Sequence, residues 1–266
     1  MTRDTKSVEL PTGVSLSYVE QGDASGVPLL LLHGVTDSWR SFELVLPHLP
    51  NSIRAFALTQ RGHGDSSRPA AGYRFKDFSS DVAAFMDAVG IDAAVVAGHS
   101  MGSVIAQRFA IDKPDRVRQL VLIDSFAVMR GNPGVREIWD FVSSTPGDSV
   151  DEAFVREFQQ STLAQPVPPE FFEAVVRESL KVPLSVWRAV FQGFLEEDNS
   201  DELSKIKNPT LIVWGDQDTF CTRSDQQTLT DAIRDSRLIV YHGAGHAPHW
   251  EEPERFARDL NEFIRS

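Results

Sequence analysis

Val95-Val96-Ala97-Gly98-His99-Ser100-Met101-Gly102 sets a serine between two glycines at the end of an apolar, β-branched run. A helical pattern begins at once, from Ser100 to Lys113. A run of this kind reads as a buried strand, so Gly98-x-Ser100-x-Gly102 occupies a tight strand-to-helix turn. In such a turn the serine backbone is strained. Side chains two residues before and after it would collide with the neighbouring strand and helix, which is why glycine stands there. The turn carries the hydroxyl out of the sheet, and the helix N-terminus behind it favours developing negative charge. The stretch therefore describes a nucleophile site. The plainer alternative is a glycine-rich turn with Ser100 as a helix N-cap.

Outward from this turn the pattern alternates. Ser7 to Gln21 reads as two short strands around Pro11-Thr12-Gly13, and Pro28 to Leu32 as a buried strand ending at His33-Gly34. Ser38 to Leu49 has helical spacing, Ile53 to Leu58 is a strand, and Arg61-Gly62-His63-Gly64-Asp65-Ser66 is a polar loop. Phe78, Val82, Phe85, Met86 and Val89 space a helix over Phe75 to Val89, ended by Gly90. Ala93 to Ala97 and Val117 to Ile123 are further strands. From about Phe126 to Ser204 the pattern turns helical, with stretches near Asp151–Leu163, Pro169–Lys181 and Leu184–Glu196 and a capping-box signature at Ser149-Val150-Asp151-Glu152. Alternation then resumes with a strand Pro209–Trp214, a helix Thr222–Ile233, a strand Leu238–Tyr241 and a helix Pro253–Ile264. This order predicts an α/β fold, a mostly parallel sheet with helices on both faces. The organisation expected is a core of residues 1–125 and 205–266, with a helical cap of residues 126–204 inserted at the strand ends where ligands bind.

Composition narrows the partners. The chain has 266 residues, 41% hydrophobic, enough for one large core. A net charge of −12 would repel a phosphate backbone, so no nucleic-acid partner is expected. The start, Met1-Thr2-Arg3-Asp4-Thr5-Lys6, is polar, with no secretory apolar region after it and no run of membrane-spanning length. A cytoplasmic protein that does not engage membranes, monomer or homodimer, is the expectation. Cys221 is the single cysteine, so no disulfide forms within the chain; it reads as a packed small residue. No zinc-spaced cluster and no dinucleotide fingerprint is present, and neither metal nor organic cofactor is expected.

A serine hydroxyl needs a base. Among seven histidines, His246 in Gly243-Ala244-Gly245-His246 lies in a glycine-rich loop between the last strand and the last helix, from which it can reach back to Ser100. His33, His63 and His99 lie in other loops near the same edge, and His242 and His249 flank His246 as rivals. The base needs an acid to fix its tautomer. Asp218 in Trp214-Gly215-Asp216-Gln217-Asp218 lies further into its loop and is preferred. Asp216 reads as a turn cap, and Asp124, at the end of an earlier strand, is the other alternative. The chain order is then Ser100, Asp218, His246. Two backbone donors for a tetrahedral oxyanion would be the amides of Met101 and of Val35, which follows Gly34.

On these motifs the chain resembles the α/β-hydrolase superfamily, in particular its cap-bearing serine members: carboxylesterases, lactonases, perhydrolase-like enzymes and carbon–carbon bond hydrolases. The resemblance spans essentially the whole chain. It implies a hydrolase acting on a carboxylic ester or lactone through a Ser100–His246–Asp218 triad and an acyl-enzyme. Position 100 is not the carboxylate of epoxide hydrolases and dehalogenases, and a lipase-type His-Gly-Gly-Gly is absent because His33-Gly34 runs into Val35-Thr36. The glycine- and proline-rich stretch of ring-cleavage hydrolases is also missing. Arg188 beside Trp187 imitates their cap arginine but reads better as an exposed helix residue. Arg130 and Arg136 stand near the cap entrance. The cap aromatics imply an apolar small-molecule pocket, with Trp139, Phe158, Trp187, Phe191 and Trp250 as candidate substrate contacts. The alternatives are carbon–carbon hydrolysis of a diketone-like substrate and a slow-hydrolysing ligand receptor.

Overall fold

The computed structural model of the protein describes residues 4–266. Met1–Arg3, part of the polar start noted above, lie outside the described residues. Eight strands among the described residues form one sheet: β1 (Thr5–Glu9), β2 (Ser15–Gln21), β3 (Val27–Leu32), β4 (Ile53–Leu58), β5 (Ala94–His99), β6 (Val117–Ile123), β7 (Thr210–Gly215) and β8 (Ser236–Tyr241). Their spatial order is β1-β2-β4-β3-β5-β6-β7-β8. β2 is antiparallel to β1 and β4, and every other neighbouring pair is parallel.

The leucine run of β3 shows why the sheet is covered twice. Leu29 and Leu31 enter one buried cluster, and Leu30 and Leu32 enter the other, because side chains alternate across a strand. One face packs on α1 (Phe75–Ala88) and α2 (Met101–Asp112), through Phe85, Met86, Val104, Ile105 and Phe109. The other packs on two short 3-10 turns, Trp39–Phe42 and Leu46–His48, and on α9 (Pro253–Arg265), through Phe42, Leu46, Phe256 and Leu260. Between β6 and β7 the chain runs through α3 (Pro133–Ser144), α4 (Glu152–Ser161), α5 (Pro169–Leu180) and α6 (Leu184–Glu196). α7 (Arg223–Ala232) and the short α8 (Pro248–Glu251) complete the helices. No helix of the described residues is long and apolar enough to cross a membrane.

Two local expectations need correction. Ser38 to Leu49 is not one helix but the two 3-10 turns. Its apolar residues are buried as the spacing requires, yet Pro47 lacks an N–H and its ring clashes with the carbonyl a turn earlier. The capping box at Ser149 does not form: Asp151 caps α4 by accepting from the Phe154 N–H at 3.1 Å. Asp148 is held instead at the start of α6, where its carbonyl accepts from Leu184 N–H and its side chain from Ser185 N–H.

Strand order places the site. The chain leaving β3 crosses one face toward β4, and the chain leaving β5 crosses the other face through α2 toward β6. Open parallel sheets bind ligands in the crevice where connections diverge in this way. Thr36, Ser100 and Asp124, the residues other than glycine with positive φ among those described, at 70°, 51° and 41°, follow β3, β5 and β6 respectively. Such conformations cost about 1–3 kcal/mol each and persist only where the surroundings enforce them.

Candidate active site

Ser100 sits at φ 51° and ψ −115°, and its side chain caps no amide of α2. The N-cap alternative therefore does not apply. A Cβ on Gly98 would stand 2.1 Å from the Gly102 carbonyl oxygen, and one on Gly102 would stand 2.2 Å from the Leu32 oxygen. Strand, turn and helix thus touch through bare backbone at both glycines, and Ser100 is pushed out between them. Its Oγ lies 2.9 Å from His246 Nε2.

His246 lies in the loop between β8 and α8. Its Nδ1 is 2.8 Å from Asp218 Oδ2, in the loop after β7. An ionised carboxylate only accepts, so Nδ1 carries the proton and Nε2 is free to accept from Ser100. Asp218 Oδ1 accepts from the N–H groups of Phe220, at 2.7 Å, and Cys221, at 3.1 Å. Burial opposes ionisation of Asp218, but the imidazole and these two amides together hold its pKa below the usual carboxylate value. The two side chains are only 6% (His246) and 0% (Asp218) exposed, so the pair is shielded from solvent. Phe220 and Phe126 flank the imidazole, with ring centroids 5.0 and 6.1 Å from it.

The competing side chains have other partners. Asp216 accepts from His242 and from Gly243 N–H, each at 2.7 Å, as a turn-capping residue does. Its partner His242 is 81% exposed, so this pair stands at the surface. Asp124 accepts from Gly215 N–H at 2.9 Å, and burial, reinforced by the nearby Asp218, raises its pKa well above the carboxylate range. His33 ties the end of β3 to Gln60, His63 bonds the Arg61 carbonyl, and His249 faces Ser41. Cys221 is buried as expected but is more than filler. Its thiol donates to the Asp124 carbonyl at 3.0 Å, and its Sγ groups with Asp218 and His246. Burial raises that thiol's pKa well above its ordinary value, which keeps it protonated.

Above Ser100 lies a cavity of about 480 Å³, part of it open to solvent. The sheet side contributes Gly34, Val35, His99, His246 and Trp250, and the helical segment contributes Phe126, Met129, Ile138, Phe158, Phe191 and Phe194. Among the five aromatic candidates, Phe158, Phe191 and Trp250 line it. Trp139 and Trp187 do not. Trp187 is fully buried against Phe154, Phe158 and Phe191, forming the core of the helical segment. Trp139 follows Ile138 on α3 and so points about 100° away from it round the helix, onto other partly buried packing. Arg188 is neither exposed nor in the cavity: it donates to the carbonyls of Val142, Thr145 and Gly147 at the end of α3. Arg130 donates to the Glu196 carbonyl.

A sequence model of the alpha/beta hydrolase fold matches residues 27–253. The chain belongs to that family. It is similar to the AB hydrolase superfamily protein YisY of Bacillus subtilis (strain 168), at 29% identity over 91% of this chain and 92% of that protein. It is similar to a 2-hydroxymuconate semialdehyde hydrolase of Pseudomonas sp. (strain CF600), at 29% identity over 96% and 92%. Among solved structures, a putative aryl esterase from Burkholderia cenocepacia superposes with a TM-score of 0.87, at 25% identity over 98% of both chains.

The sequence marked His99 only as one of several histidines near the same edge, and gave no signal that separated Glu251 or Asp37 from ordinary loop and helix residues. His99 Nε2 donates to the His246 carbonyl at 2.7 Å, and burial drives the His99 pKa down to about 3, so it holds the loop as a neutral ring. Glu251 accepts from Gly245 N–H at 3.0 Å and from Ala164 N–H at 2.8 Å, joining the histidine loop to the linker after α4. Asp37 lines the cavity and is described below. An acidic residue five positions after His246, beside a glycine loop, is a pattern too common to read from one sequence.

Proposed function

We propose that the chain is a serine hydrolase that cleaves a carboxylic ester or lactone through an acyl-enzyme, with Ser100, His246 and Asp218 as its triad. The observation that carries this is the unbroken hydrogen-bond chain from Ser100 Oγ through the imidazole to a buried, doubly amide-bound carboxylate. His246 Nε2 takes the hydroxyl proton as Oγ attacks the carbonyl carbon. Negative charge then moves onto the carbonyl oxygen. The Met101 N–H, at the first position of α2 and so without an intrahelical acceptor, and the Val35 N–H receive it. The intermediate collapses, the alcohol leaves with the proton from Nε2, and a water activated by the same nitrogen releases the acid. Asp218 keeps the tautomer and stabilises the imidazolium.

Residues 126–204 are proposed as a cap over this centre, and 1–125 with 205–266 as the catalytic core. The apolar wall from Phe158, Phe191 and Trp250 suits a small, largely apolar substrate. No Lys or Arg lines the cavity among the described residues. A carboxylate-bearing substrate such as a muconate would therefore find no counter-charge, which favours the ester reading over the carbon–carbon one.

The test is a panel of acyl esters and lactones with the native chain and with Ser100→Ala. At least a thousandfold loss of kcat is expected in the variant. Retention of most activity would remove Ser100 from the mechanism, and turnover below about one per minute on the whole panel, against about 1–1000 per second for ordinary enzymes, would favour a receptor.

A further inference from the structure

One corner of the apolar cavity is polar and spans the core and the helical segment. Asp37 and Gln159 both line it. They are 3% and 1% exposed, and polar groups this buried require partners. The Gln159 amide nitrogen, on α4, is held by three oxygens: Ser179 Oγ at 2.9 Å, Thr36 Oγ1 at 3.2 Å and Asp37 Oδ1 at 3.2 Å. The other end of the amide, Oε1, accepts no protein hydrogen bond among the described residues, although the amide itself is fixed on the cavity wall. Asp37 closes the turn that begins at Gly34, its N–H donating to the Gly34 carbonyl at 3.3 Å. The corner therefore adjoins the Gly34–Val35 backbone assigned above to the oxyanion.

We propose that this corner is a hydroxyl-recognition subsite: Gln159 Oε1 accepts the O–H of a substrate hydroxyl placed on the acyl chain one or two carbons from the scissile carbonyl. The inference rests on the ester-hydrolase reading and specifies its substrate class, 2- or 3-hydroxyacyl esters. A substituent on the carbon beside a carbonyl lies alongside that carbonyl's oxygen, which the Gly34–Val35 turn receives. Charge argues for a neutral group. Burial pushes the Asp37 carboxyl up to about 8, so at neutral pH it is a neutral acid. Its Oδ1 is already occupied by Gln159, and the rest of the cavity is aromatic and aliphatic. A hydroxyl meets the free Oε1, and an unsubstituted chain leaves that acceptor buried without a partner, which costs about 1–3 kcal/mol.

The test compares kcat/KM of the native chain on methyl hexanoate, its 2-hydroxy, 3-hydroxy and 2-amino derivatives, and 2-methoxyhexanoate. One of the hydroxy esters is expected to exceed the unsubstituted ester by about tenfold or more. The methoxy ester, which accepts but does not donate, is expected to fall back to the unsubstituted level or below. In Gln159→Leu the ratio of hydroxy to plain ester should drop to near one, and a ratio within one preparation does not depend on how much of it folds. Equal kcat/KM for plain and hydroxy esters, with Ser100-dependent turnover intact, overturns the subsite and leaves the ester reading standing. So does a preference for the amino ester, or an unchanged ratio in Gln159→Leu. No turnover of any ester overturns the reading beneath it.

Discussion

The backbone N–H of His246 donates to the carbonyl of Thr162 at 2.8 Å. The proposed base is thus hung from the linker between α4 and α5 as well as from its own loop. A Cβ on the neighbouring Gly245 would stand 2.7 Å from both the Thr162 oxygen and the Ala164 nitrogen, so the glycine before the histidine is what permits this approach. The helical segment therefore does two jobs at once: it lines the cavity and holds the imidazole-bearing loop in place.

Glu251 is the side chain that locks this junction, through Gly245 and Ala164. Glu251→Ala frees both amides and lets the histidine loop drift from Ser100. Displacement by about 1 Å lowers turnover by up to about a hundredfold. Steady-state kinetics should show kcat falling by about ten- to a hundredfold. An unchanged kcat would mean that Thr162 and His99 hold the loop without Glu251.

The acid is tested by two matched substitutions. Asp218→Asn removes the acceptor that sets the His246 tautomer and should lower kcat by about 10⁴. Asp216→Asn disturbs the surface turn held by His242 and the Gly243 N–H and should change kcat by less than about threefold. The reverse ranking would move the acid to the surface loop.

Gly98→Ala and Gly102→Ala each drive a Cβ to within 2.1–2.2 Å of backbone oxygen. Backbone cannot rotate away as a side chain can, so each should destabilise the fold by more than about 3 kcal/mol or prevent folding. Gly13→Ala, with nothing within 4 Å but φ 82°, should cost only about 1–2 kcal/mol. Thermal or urea unfolding gives the comparison, and a well-folded Gly102→Ala at native stability would contradict the elbow geometry.

Stability should peak near pH 6.5. Burial holds His63 near 4 and His99 near 3, and lowers His33 and His249 strongly. As pH falls from about 6.5 toward 4, the unfolded chain binds protons that the folded chain excludes, so stability drops. Asp37 has the opposite sign. Burial raises it to about 8, so between about 4 and 8 the folded chain keeps a proton the unfolded chain has lost, and stability drops as pH rises. Four lowered histidines outweigh Asp37 and Asp124 below 6.5, while above it these two raised carboxyls act unopposed. In melts from pH 4.5 to 9, Asp37→Asn should show a shallower alkaline limb and a steeper acid limb, because the carboxyl that opposes the histidines below 6.5 is gone. An alkaline limb as steep as that of the native chain would show that Asp37 is not the group.

Much of the architecture was legible from residue pattern. Six of the strands were read to within a residue or two because a four-leucine run or a β-branched run bounded by glycine and proline has few other uses. The 3-10 turns at Trp39 and Leu46 were misread as one helix because buried residues at Trp39, Phe42, Val45, Leu46 and Leu49 keep helical spacing even when Pro47 breaks the ladder. Phe158 and Phe191 were picked out together with Trp187, though only the first two line the cavity. All three are aromatic helix residues, and the direction each faces depends on what packs beside it.

What the sequence determined by itself is local. Steric exclusion at Gly98 and Gly102 and most helix starts and stops follow from forces acting over a few residues, and the order of the proposed nucleophile, acid and base is simply read along the chain. Ser100 and His246 are 146 positions apart, and their 2.9 Å contact depends on strand order, on register and on the α4–α5 linker that meets the histidine loop. The same holds for Gln159 against Asp37, 122 positions apart, and for Cys221 against Asp124. Those meetings are settled by how the faces of the sheet are covered, a property of the whole packed core that no window of the sequence contains.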